Sequence, residues 1–142
     1  MAQKPVQPEQ IIHFLVFDLA GQPYGVNVAQ VEGVVAGPGR EGKWTYQGQE
    51  IILHSLPRLL ELALPEEALN RVLLIRRDGE LHGFLVPTPR DIVALAVEDI
   101  FPLPPLIRRV LGERTLLWGV GRMENGLLLL VDPEADEAAL RK

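Results

Sequence analysis

The chain has no cysteine, a single serine (Ser55) and three lysines in 142 residues. Without cysteine there is no disulfide, no thiolate nucleophile and none of the commonest structural zinc sites. Hydroxyl catalysis would rest on Ser55, on Thr45, Thr88 or Thr115, or on a tyrosine. Long basic runs are also missing, and a net charge of −5 with a pI near 5.2 repels phosphate backbones, so nucleic acid is excluded as an expected partner. No apolar run approaches the roughly 20 residues that span a bilayer, so no direct membrane insertion is expected. Residues 1–10 are polar, carry two prolines and lack a small-residue cleavage site, so they are expected to be a flexible N-terminal segment rather than a signal peptide. A cytoplasmic protein is the expectation that follows.

The residues present suit a packed core. The apolar share is 47% and the charged share 23%, which fits one compact domain or two very small ones. Short apolar runs recur at Ile12 to Leu19, Tyr24 to Val28, Val31 to Ala36, Ile51 to Leu56, Val72 to Ile75, Leu81 to Val86, Ile92 to Val97, Leu116 to Val120 and Leu127 to Val131. Their lengths are those of strands. Asp78-Gly79 and Asn125-Gly126 supply the positive φ angles of two-residue hairpins, and Gly21 and Gly48 suit longer turns. The class is therefore all-β and mostly antiparallel. Short helices are expected at Pro57 to Leu64, Leu106 to Leu111 and Glu134 to Leu140, the last begun by Pro133.

An internal repeat organises these runs. At a shift of 58 residues, Phe14-Leu15-Val16-Phe17 overlies Val72-Leu73-Leu74-Ile75, Gly21 overlies Gly79, Gly25 overlies Gly83, Val28 overlies Val86, and Val34-Val35 overlies Ile92-Val93. At a shift of 77, Ile51-Ile52-Leu53 overlies Leu128-Leu129-Leu130, with Ser55 over Asp132. Two copies of one β unit follow, the second carrying about 19 extra residues. The insertion holds Glu98 to Glu113, and its prolines at 102, 104 and 105 favour an extended crossing loop.

No constellation of chemistry emerges. Gly37-Pro38-Gly39-Arg40-Glu41-Gly42 has the letters of a dinucleotide fingerprint, but Lys43-Trp44-Thr45-Tyr46 reads as a strand where that motif needs a helix. A nucleotide or small-ligand binder is thus a remote alternative. His54 and Ser55 are adjacent in a strand and point to opposite faces. His13, His54 and His82 lack partners at ligand spacing, and the carboxylates fall in turns and at a helix start. No catalytic, metal or cofactor site is expected, which favours an interaction module.

The run Phe14-Leu15-Val16-Phe17-Asp18-Leu19, then Gly21, Tyr24-Gly25-Val26-Asn27-Val28 and Val31, resembles the opening of the CheW-like chemotaxis coupling proteins. Val72 to Val86 with Gly79 and Gly83, Val97-Glu98-Asp99-Ile100 with Pro102 and Pro104, and Gly119-Val120-Gly121-Arg122 through Leu130-Val131-Asp132 resemble that family's later segments in order. The resemblance implies two small five-stranded barrels side by side, in one domain over 11–142 whose subdomains cover about 11–64 and 70–140, with strand exchange open. It also implies a non-enzymatic scaffold in a two-component signalling pathway. Such a scaffold binds the regulatory domain of a CheA-type histidine kinase and a chemoreceptor's cytoplasmic tip. The first half departs from the pattern: Gln47 stands at the family's Arg position, Gly33 at its partner Glu, and Ile52 and Ser55 at its Pro and Asp. The expected contact residues are Val31, Gly33, Val34, Gln47 and Gly48 around an altered receptor groove, with Gly121 and Arg122 at the closing hairpin. An accessory protein that binds one partner, or a different one, is the alternative.

Overall fold

In the computed structural model, residues 10–112 and 115–134 are described. Among these residues eleven strands form two sheets. The first contains β1 (Ile11–Leu19), β2 (Gln22–Asn27), β8 (Asp91–Ala96), β9 (Ile100–Pro102), β10 (Leu117–Met123) and β11 (Gly126–Val131), in the order β8-β1-β2-β11-β10-β9. The second contains β3 (Val31–Ala36), β4 (Gly42–Tyr46), β5 (Gln49–Ser55), β6 (Arg71–Arg77) and β7 (Glu80–Val86), in the order β3-β6-β7-β5-β4. Pairing is antiparallel except for β11 with β2 and β5 with β7. The all-β, two-sheet expectation holds, and β9 adds a sixth strand to one sheet.

Continuous apolar runs arise because the central strands bury both faces. In β1, Phe14 and Val16 point into the hollow of the first sheet with Leu95, Leu128 and Leu130. Leu15, Phe17 and Leu19 point the other way, into a core shared by both sheets. The same division runs through β6, where Val72 and Leu74 fill the second sheet and Leu73 and Ile75 join the shared core. Shared-core residues Phe17, Leu73 and Phe84 have no solvent exposure, so the sheets pack as one body.

The repeat is visible in the pairing. Gly25 lies opposite Leu130 on parallel β11, and Gly83 lies opposite Leu53 on parallel β5. A shift of 58 carries Gly25 to Gly83, and one of 77 carries Leu53 to Leu130, so the two contacts are equivalent. Each sheet takes its first two repeat strands from one copy and the remaining three from the other. β1 and β2 thus lie with β8 to β11, while β3 to β7 form the second sheet.

The insertion supplies β9 and helix α2 (Pro105–Leu111), where an extended loop was expected. Pro105 begins α2, where its missing N–H costs nothing. Helix α1 (Leu56–Leu59) is shorter than expected, capped by Ser55 Oγ accepting from Arg58 N at 3.2 Å. The helix expected at Glu134 to Leu140 lies outside the described residues beyond Glu134, which itself sits in a turn. Gly21 and Gly48 do not serve longer turns: Ala20-Gly21 and Gln47-Gly48 are two-residue turns with φ of 53° and 81°, and 51° and 78°. Asp78-Gly79 is as expected, at 50° and 80°, whereas the last hairpin turns at Glu124-Asn125 and Gly126 opens β11.

Candidate interaction surfaces

β3 is an edge strand whose regular pairing with β6 is broken by a bulge. Val31 lies opposite Ile75 and Gly33 opposite Leu74, leaving Glu32 as the extra residue. The inserted residue resets the side-chain alternation. Val31 and Val34, which would otherwise face opposite ways, therefore both pack on the shared core. Glu32 is turned outward and accepts from Arg76 Nε at 2.9 Å and Nη2 at 3.0 Å. That hydrogen bond, against a smaller cost of burial, lowers the Glu32 carboxyl from its ordinary range. Gly33 has open space where a Cβ would stand.

Gln47 and Gly48 form the exposed tip of the β4–β5 hairpin, at the opposite side of this sheet from β3. Hydrogen-bonding order therefore separates the five expected groove residues into two groups, with β6 and β7 between β3 and the β4–β5 hairpin. Gly121 faces inward from β10, where a Cβ would run into Leu95. Its neighbour Arg122 faces outward, donates to Asp99 Oδ1 at 2.7 Å and lies 5.5 Å from the Phe101 ring centroid. Sequence reasoning brought Arg122 forward but missed the insertion's apolar surface. Leu106 and Val110 are 69% and 77% exposed, and α2 buries no residue. Their i, i+4 spacing was the available signal.

The Gly37 to Gly42 segment leads into β4 rather than a helix, removing the N-terminus a dinucleotide would need. Its Glu41 carboxylate accepts from Ser55 N at 3.0 Å and from Arg58 Nη2 at 2.6 Å. The Arg58 bond is the main reason the Glu41 carboxyl lies below its ordinary range. Glu41 is therefore a brace between the connection and α1. Ser55 is occupied as a helix cap, and His54 is buried beside Phe84.

A polar cleft between the copies is lined by Ala29, Gln30, Arg76, Arg77, Asp132 and Glu134. Gln30 donates to Asp132 Oδ1 at 3.2 Å, and Arg77 Nε lies 3.3 Å from Glu134 Oε2. Burial pushes the Glu134 carboxyl up, against the opposing fields of His82 and Arg77. Among the described residues there is no group of three or more His, Asp or Glu able to hold a metal, and no buried side-chain polar atom lacks a partner. These polar groups brace one another. No described helix is long and apolar enough to cross a membrane.

Comparison with solved structures finds the scaffolding protein TtCheW from Thermoanaerobacter tengcongensis, at 16% identity and a TM-score of 0.71, covering 93% of this chain and 90% of that one. At that identity the likeness establishes the fold. No curated protein sequence matches. The family comparison is more specific: residues 13–136 match the CheW-like domain, spanning both copies of the repeat and the insertion between their parts. The chain therefore belongs to the CheW-like domain family.

Proposed function

We propose that the chain is a non-catalytic scaffold of a bacterial chemosensory pathway. It holds the regulatory domain of a CheA-type histidine kinase and a chemoreceptor tip in fixed proximity, raising the effective concentration of each near the other. The observation that carries this reading is the family match across residues 13–136. The polar groups of the connection and the cleft support it, since Glu41, Ser55, Asp132 and Glu134 are engaged in caps, hydrogen bonds and ion pairs that brace the fold. Partner contacts are assigned to Val31, Gly33, Val34, Gln47 and Gly48 on the first-copy strands, and to Arg122 on β10. Gly121 acts beneath Arg122 by letting Leu95 seat. The protein works in the cytoplasm, recruited to receptor arrays, and needs no cofactor.

A second reading has a specific observation in its favour. The resemblance places an Arg–Glu pair at 47 and 33, but this chain has Gln47 and Gly33, and its acidic group at the bulge, Glu32, is engaged by Arg76. An accessory protein that has lost receptor coupling and binds one partner would carry such changes. Calorimetric titration of the purified chain with the kinase regulatory domain, and separately with a receptor tip, distinguishes the two. Binding to both supports the scaffold, binding to one supports the accessory protein, and binding to neither at high micromolar concentration overturns both.

A further inference from the structure

The two sheets are built from equivalent strands, yet among the described residues one edge is covered in the first sheet and bare in the second. β9 pairs antiparallel along β10, with Pro102 opposite Gly119, Phe101 opposite Val120 and Ile100 opposite Gly121. A shift of 77 places Gly42, Lys43 and Trp44 of β4 at the positions of Gly119, Val120 and Gly121. β4 is hydrogen-bonded to β5 on one side and ends its sheet on the other. The contrast is sharpest at the paired glycines. A Cβ on Gly119 would stand 2.7 Å from the Phe101 carbonyl oxygen, whereas one on Gly42 would meet nothing within 4 Å. The first copy thus lacks the strand that the insertion provides to the second.

We propose that the outer edge of β4 accepts an extended segment of a partner protein as an added antiparallel strand, with an apolar residue opposite Trp44 and a carboxylate opposite Lys43. Unpaired edge N–H and C=O groups supply the affinity, and alternate side chains supply the selectivity. Trp44 and Tyr46 stack with ring centroids 5.4 Å apart and pack on the second sheet's core while remaining part-exposed. They form an apolar floor on the inward side. In the occupied edge, Ile100 takes the corresponding inward place and packs on the first sheet's core. On the outward side, Arg122 of β10 holds Asp99, the residue just before β9. On β4 the outward cation is Lys43, exposed and without an ion pair among the described residues, so an incoming acid is matched one position along. A lysine on the edge also opposes pairing with a second copy, which would bring another lysine to the same seam. The inference is independent of which partners the scaffold reading assigns.

The strand that nature places on β10 serves as the probe. A blocked peptide of residues 97–104, and the same peptide with Phe101→Glu, are titrated into the full chain while its backbone amides are followed by NMR and hydrogen exchange. The expected result is a shift and slowed exchange at Gly42 to Tyr46, with the Glu-bearing peptide binding more tightly. Lys43→Glu, exposed and outside any core, should weaken that peptide roughly two- to fivefold relative to the unmodified one. Absence of perturbation at millimolar peptide overturns the proposal. So does perturbation confined to β10, which would mean displacement of the chain's own β9. Concentration-dependent shifts in β4 without peptide would assign the edge to a second copy instead, and equally overturn it.

Discussion

Adding one methyl group to Gly83 tests the equivalence of the two sheets at a crowded point. The backbone there has an ordinary negative φ, so the effect is one of packing. A Cβ would stand 2.5 Å from Leu53 Cδ2 and 3.2 Å from both Ile51 Cδ1 and Val72 Cγ1. Overpacking of this kind costs about 1–3 kcal/mol, offset by roughly 0.5–1 kcal/mol because alanine loses less backbone freedom than glycine in a strand. Gly83→Ala should therefore destabilise by about 1–2 kcal/mol. Leu53→Val withdraws the clashing methyl and by itself should cost about 1 kcal/mol in lost burial. In the double variant the new Cβ occupies the space vacated, so its cost should approach that of Leu53→Val alone, a coupling of about 1 kcal/mol or more. Urea unfolding of the four proteins measures this. Additivity within about 0.5 kcal/mol would refute the packing argument. Gly33→Ala is the control: its φ is also negative and its surroundings are open, so it should be neutral or slightly stabilising.

Two carboxylates should give stability profiles of opposite sign. Glu41 titrates below its ordinary 4.5, so its contribution is complete above that pH and lost as pH falls through the lowered folded value. Glu41→Gln should flatten the acid limb of chemical-denaturation stability against pH, at a neutral-pH cost of about 1 kcal/mol given the solvent exposure of Arg58. Glu134 is raised, so its contribution is complete below 4.5 and declines as pH climbs through the raised folded value; Glu134→Gln should remove that decline. Ala20, at φ 53°, should be replaceable by Asn with a gain of about 0.5–1 kcal/mol in thermal unfolding. Leu106→Lys with Val110→Lys should leave the unfolding free energy within about 0.5 kcal/mol of the parent, because α2 buries neither. A larger loss would mean that α2 packs against the body.

The sequence was most legible where one physical demand dominated. Strands buried on both faces, such as β1 and β6, had to be continuous apolar runs, and Gly25 and Gly83 had to remain without a Cβ, so the repeat was plain. The turn at Asp78-Gly79 was equally direct. Ala20-Gly21 and Gln47-Gly48 were misjudged because their first residue has a Cβ that disfavours the left-handed conformation; the surrounding pairing imposes it. β9 escaped notice because three prolines in the insertion argued against pairing. Pro102 ends a three-residue edge strand, where a missing donor is tolerated. The contact candidates were harder still. Val31 and Val34 depended on a bulge that no spacing in the chain announces, and the separation of Gln47 from β3 depended on which strand pairs with which.

The reciprocal exchange of strands has a consequence for vectorial synthesis. β1 and β2 leave the ribosome before the other strands, but their lateral neighbours β8 and β11 come from the second copy. The second sheet, drawn from a continuous stretch, can assemble while translation continues. The first must wait for its final strand. Until then the side of β2 that receives β11 is an open edge lined by Tyr24, Gly25 and Val26, the segment of the nascent chain most in need of protection from wrong partners.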